Sequence, residues 1–142
     1  NGAGRLVYSS ASDYLKNRNK IYLLIFILSI FSVSIAAVLQ SSVMVTIMLC
    51  IISSTYGAGF SCLPSLLADK FGMDKISSIH GLALTAWAFA GLSGNQLSTW
   101  IHDKTGSYTN VLYVLIILYA IGLLMTYVLI QSDRKQEGTK AA

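Results

Sequence analysis

The chain has 142 residues, of which 54% are hydrophobic and 11% charged, with a formal net charge of +4. Soluble domains carry about a quarter charged residues, so this composition excludes an ordinary soluble domain. The few charges lie between long apolar runs rather than on one basic face, which excludes a nucleic-acid partner and points to membrane spans.

Residues 1–12, NGAGRLVYSSAS, read as the end of a preceding helix. A polar loop with Asp13, Lys16, Arg18 and Lys20 follows. Residues 21–39 form the oiliest span, whose polar atoms are those of Tyr22, Ser29, Ser32 and Ser34. This span is expected to face lipid over much of its circumference. Residues 40–42, Gln-Ser-Ser, make a short outer turn.

The next span, 43–68, begins oily and ends small and polar. It holds Pro64, the chain's one proline. A proline inside a helix removes a backbone bond and crowds the carbonyl four residues earlier, here Phe60, so a kink is expected near 60–64. Ser53, Gly57, Ser61, Ser65 and Asp69 recur every fourth residue, as do Ala86, Ala90 and Gly94 in the following span. Small residues at that spacing let helix backbones approach closely in lipid. Close contact is therefore expected between these two spans, across the inner loop 69–75.

Span 76–101 opens with Ser77 and Ser78, which suit a helix start. His80, Leu84, Trp87, Gly91, Gly94, Asn95, Ser98 and His102 fall along one stripe, which should face protein or water. Residues 102–107 make the outer turn. Span 108–130 is oily, notched by Gly122, with Tyr108 and Tyr127 placed to anchor at the two interfaces. Residues 131–142 read as a frayed polar tail.

The pattern predicts an all-α polytopic membrane bundle: a helix end and loop over 1–20, four transmembrane helices over 21–130, and a tail over 131–142. If the spans alternate, Arg5, Lys16, Arg18, Lys20, Lys70, Lys75, Arg134, Lys135 and Lys140 share one side and Lys104 stands on the other. The positive-inside rule then puts both chain ends in the cytoplasm of a cell membrane. The opening without Met, in what reads as the end of a helix, suggests a piece of a longer protein.

Tyr56 and Trp87 stand near mid-span, where transporter sites lie, and each side chain can donate to a carboxylate. Asn95 and Gln96 are candidate contacts or gate residues nearer the outer mouth. Asp13, Arg18, Ser77 and Pro64 are candidate gating residues: Asp13 can pair with a nearby base or with a helix start at Ser77, and Pro64 can act as a hinge. His80, near the inner end of its span, is a candidate proton-coupling group. Cys50 and Cys62 read as small packing residues. No metal-ligand spacing, cofactor motif or catalytic arrangement is present, so no enzyme, metal or cofactor is expected.

Four stretches, NGAGRLVYSSASDYLKNRNK, GAGFSCLPSLLADKFG, IHGLALTAWAFAGLSG and WIHDKTGSYTNVLYVL, resemble the C-terminal third of the major facilitator superfamily. They are most similar to its oxalate/formate antiporter-like branch, which includes monocarboxylate carriers. The resemblance implies that the four spans are helices nine to twelve of a twelve-helix transporter and that residues 1–12 end helix eight. It implies further that helix ten borders a central cavity, that helices nine and twelve are peripheral, and that the partners are the lipid bilayer, the N-terminal helices and a small organic anion. Ser9 and Lys16 replace the usual inner-loop glycines, and Gly94-Asn95 replaces Gly-Pro. Ala90 stands near the place where oxalate exchangers carry a cation, so the resemblance implies a monocarboxylate rather than a dicarboxylate. A neutral solute carried on the same fold, and a free-standing four-helix membrane scaffold, are the alternatives.

Overall fold

A computed structural model describes residues 1–14, 18–39 and 41–140, with the side chains of 134–140 outside that description. Lys16 and Gln40 therefore lie outside the described residues, as do the side chains of Arg134, Lys135 and Lys140.

The described residues form a bundle of five helices: α1 (Gly2–Tyr14), α2 (Asn19–Val38), α3 (Ser42–Phe71), α4 (Ile76–Thr105) and α5 (Tyr108–Lys140). Four of them, α2 to α5, are long and apolar enough to cross a membrane. In lipid every backbone group must bond internally, which makes the helix the natural state of such apolar runs. The architecture is the all-α membrane bundle that the apolar pattern predicts.

The turns are shorter than the charge pattern suggests. α3 continues to Phe71 and stops at Gly72, whose φ of 79° lies where a side chain would be strained. A single 3-10 turn, Met73–Lys75, leads straight into α4. At the other end Gly106, with φ 67°, caps α4 by donating its N–H to the His102 carbonyl over 2.7 Å. α5 runs past residue 130 to Lys140, so the expected tail is a helical extension.

α2 lies between α3 and α5, with Ile21, Ile25, Ser29, Ser32, Val33 and Ala36 buried along one stripe. Leu24, Ile27, Phe31 and Val38 form its open face. The serines and alanines of the buried stripe let neighbouring helices close on it. Ile21 and Ile25 meet Ala58 and Cys62 of α3 in the buried core, with Tyr8 and Tyr22 packed against it.

The small residues of α3 serve α1 and α2 rather than α4. A methyl group added at Gly4 would strike the backbone of Ser54, and one at Gly57 would strike the backbone of Asn1. Ser61 Oγ shares its one proton between the Ala58 carbonyl of its own helix at 3.2 Å and the Arg5 carbonyl at 3.3 Å, and Cys62 Sγ approaches the Tyr8 carbonyl at 3.7 Å. By contrast Gly81, Gly91 and Gly94 of α4 have open space beside them, and Ile101 is the buried residue of that helix. α4 stands off from its neighbours over much of its length: Gly91, Gly94 and Asn95 of its small, polar stripe are exposed, whereas Leu84 and Trp87 of the same stripe turn toward α3.

α4 also begins without the serine cap. Lys75 holds the capping position and makes no side-chain cap bond, which leaves Ser77 and Ser78 inside the first turn. The 3-10 turn feeds α4 directly, so its first amides follow a helical backbone instead of a capping hydroxyl. The Gly122 notch of α5 receives the Phe26 ring of α2, which would lie 2.6 Å from an added methyl.

Candidate functional site

Tyr56 sits at the middle of α3, and Trp87 sits within one turn of the middle of α4. The fold brings them together: Trp87 Nε1 donates to the Tyr56 hydroxyl oxygen over 2.8 Å. An indole N–H only donates, so Tyr56 accepts here and keeps its own proton for a third group. Both side chains are half exposed, at 50% each. They are accessible to a solute and are held in place by one another.

The pair lines a cavity of about 250 Å³ between α2, α3, α4 and α5. Its wall is largely aromatic and contains no charged side chain. Phe60 meets Trp87 edge to face, with ring centres 5.5 Å apart, and Phe26 meets Tyr119 at 6.3 Å. Such tilted pairs fix ring orientation through their quadrupoles.

The polar atoms of the wall are largely committed. Tyr22 Oη donates to the Gly59 carbonyl over 2.9 Å, one residue before the carbonyl that Pro64 deprives of its helical partner. Thr55 Oγ1 donates to the Ile52 carbonyl over 2.9 Å. Its single proton is thereby used, so Ser29, 3.0 Å away, donates to Thr55. The Tyr56 hydroxyl proton is left as a donor aimed at no described partner.

Arg5 of α1 stands behind this wall, on the ring of Phe60, without lining the cavity itself, and the sequence did not assign it to the site. Its guanidinium carbon lies 5.5 Å from the centre of the Phe60 ring, in cation–π range. Arg5 Nε donates to Asn1 Oδ1 over 3.1 Å, and among the described residues no carboxylate pairs with the guanidinium. The overlooked signal was positional: Arg5 stands in an otherwise apolar helix, GAGRLVY, away from the charge cluster at 13–20.

Asn95 and Gln96 are not part of this constellation. They lie eight and nine residues beyond Trp87 on α4, about 12 Å farther along the axis at about 1.5 Å per residue. Both are exposed. The Asn95 carbonyl accepts from Thr99 Oγ1 within the helix over 3.1 Å.

The end of the bundle at the α3–α4 turn carries an ionic lattice. Arg18 bridges two helices: Nη2 lies 3.3 Å from Asp13 Oδ1 of α1, and Nε lies 3.2 Å from Asp69 Oδ2 of α3. Asp13 thus pairs with Arg18 rather than with the start of α4, and Ser77 stands exposed and apart from it. A second cluster joins three helices, with Lys70 Nζ of α3 2.9 Å from Asp133 Oδ2 of α5, to which Asn19 of α2 also donates over 2.6 Å. Asp69 and Asp133 were missed because each looked like one solvated charge among several in a loop or tail. Pro64 lies within α3, between the aromatic wall and this lattice. His80 lies one turn inward of Leu84, which lines the cavity, and its Nδ1 is buried without a partner among the described residues.

Among the described residues no group of His, Cys, Asp and Glu could hold a metal ion. Comparison with curated proteins and with solved structures gives no match. The family model of the Major Facilitator Superfamily matches residues 1–142, the whole chain. With four membrane-length helices and an aromatic cavity at their middle, the chain belongs to the Major Facilitator Superfamily, a family of membrane transporters.

Proposed function

We propose that this chain is the C-terminal part of a secondary transporter that moves a small organic monoanion, by exchange or symport, through alternating access. The observation that carries the reading is the Trp87–Tyr56 hydrogen bond at mid-span. It leaves a hydroxyl donor facing a cavity, with Arg5 on the ring of Phe60 one turn away on α3. One cation and one free donor suit one carboxylate. A site near the bilayer midplane between helices is where such transporters bind their solutes.

On this reading α1 to α5 are helices eight to twelve, and the open stripe of α4 faces the N-terminal helices of the complete protein. The inner-end charges, Asp13, Arg18, Asp69, Lys70 and Asp133, lie on the cytoplasmic side of the cell membrane, with both chain ends. Arg18 holds the ends of α1 and α3 together in one access state, and Pro64 gives α3 a place to bend.

A second reading, transport of a neutral solute, draws on the absence of charged side chains from the cavity wall. Counterflow in liposomes separates the two. The complete transporter, loaded with unlabelled pyruvate, is expected to accumulate labelled pyruvate or lactate saturably, and Arg5→Gln is expected to abolish this. Accumulation of neutral solutes alone, indifferent to Arg5→Gln, would establish the second reading.

A further inference from the structure

We propose that the acid this cavity accepts is an aromatic monocarboxylate, with the ring held among the aromatic side chains and the carboxylate at Arg5 and Tyr56; the inference rests on the monoanion reading above.

Size comes first. An apolar cavity of about 150 Å³ is enough to take up benzene. The cavity here measures about 250 Å³, which leaves room for a ring and one substituent. Formate or lactate would leave most of it unfilled and would gain little from its apolar wall.

The wall chemistry points the same way. Tyr22, Phe26, Tyr56, Phe60, Trp87 and Tyr119 contribute six rings from four helices. The Phe60–Trp87 pair is set at 68° and the Phe26–Tyr119 pair at 60°. Rings fixed in this way present faces and edges to a third ring, the geometry that aromatic groups prefer. Tyr22 spends its hydroxyl on the Gly59 carbonyl, so it offers its ring and not its donor.

The charged partners suit one carboxylate. Among the described residues Arg5 is the cation that stacks on a wall residue, and the spare proton of Tyr56 is the accompanying donor. Among those residues a second carboxylate would lie against the aromatic wall with no cation to meet it, a costly placement in low dielectric.

The test is counterflow by the complete transporter at about pH 8, where carboxylic acids with pKa near 4 are ionised and passive leak is small. Labelled benzoate and phenylacetate are compared with lactate, formate and oxalate. The expected result is half-saturation for benzoate at least about tenfold below that for lactate. Trp87→Ala should raise the benzoate value about tenfold and the lactate value far less. Trp87→Phe, which keeps a ring, should lie between, and it provides a folded comparison should Trp87→Ala fail to insert. Exchange of lactate or formate with no competition from benzoate would overturn the aromatic assignment while leaving the monoanion reading intact. Exchange of benzyl alcohol as effective as that of benzoate would overturn the role of the carboxylate. No exchange of any acid by a transporter that melts cooperatively would overturn both readings.

Discussion

Trp87 donates its indole proton to Tyr56 across the gap between α4 and α3. α4 is otherwise the most open helix of the bundle, so this bond and the Phe60–Trp87 ring contact fix its middle against α3. A hydrogen bond of this kind contributes about 1 kcal/mol net, or about fivefold in an equilibrium. Trp87→Phe should raise the half-saturation for transport by about that factor, and Tyr56→Phe by more, since it also removes the donor to the carboxylate. The double variant should be little worse than Tyr56→Phe alone, since the bond that Trp87→Phe removes is already lost. Full additivity in counterflow measurements would show that the two act separately.

The close crossing of α1 on α3 and the looser notch on α5 should respond differently to the same change. At Gly4 an added methyl meets the backbone of Ser54, which cannot move aside. At Gly122 it meets the Phe26 ring, which can turn. Overpacking costs about 1–3 kcal/mol, and Gly4→Ala should fall at the upper end of that range and Gly122→Ala at the lower end. Thermal melting of the purified protein in detergent checks the order. A larger loss of Tm for Gly122→Ala would contradict the packing described.

Arg18 holds Asp13 and Asp69 at once, with those carboxylates 64% and 56% exposed. Exposed pairs contribute about 0.2–1 kcal/mol, so Asp13→Asn alone should barely change Tm, because Arg18 keeps Asp69. Its effect should appear in transport, as a slower exchange rate with normal membrane insertion. Exchange at the wild-type rate in Asp13→Asn and in the Asp13→Asn, Asp69→Asn double variant would remove this contact from gating.

The Lys70–Asp133 pair is better shielded, with side chains 26% and 34% exposed, and Asn19 adds a third bond. Asp133→Ala should destabilise more than Asp13→Asn, by about 1–2 kcal/mol, since it leaves Lys70 without its carboxylate and removes one hydrogen bond of Asn19. Melting of the two variants side by side measures the difference, and equal melting would show Asp133 to be a solvated charge.

Much of this was legible in the sequence, and the limits have physical causes. Four apolar runs of membrane length declare four helices, because lipid leaves the backbone no other choice. Tyr56 and Trp87 were readable as a pair from their shared depth, since each lies close to the centre of its span. Which helix faces which was not readable. The apolar spans of α2 and α5 are close in hydropathy, yet α2 buries a full stripe against its neighbours and α5 is largely open. In lipid, apolar residues do not distinguish a neighbouring helix from an acyl chain, and a few small residues decide. The stripe of Ser and Gly on α3 announced close contact but not its partner, which is α1 instead of α4. Arg5 was read with the loop charges because sequence distance concealed its position beside Phe60. Asn95 shares the polar stripe of α4 with Trp87 but lies too far along the axis to join it, and Gln96, nine residues on, falls on the opposite face.

The central claim is that the solute binds against Trp87, and the chain's two tryptophans, Trp87 and Trp100, make it directly measurable. In a version of the complete transporter that keeps Trp87 as its one tryptophan, emission would be followed during titration with an acid that the protein exchanges. Trp87 emission is expected to change saturably, half complete at the concentration that half-saturates exchange, and the change is expected to be lost in Arg5→Gln. Saturable exchange of that acid with Trp87 emission unchanged throughout would contradict binding against Trp87.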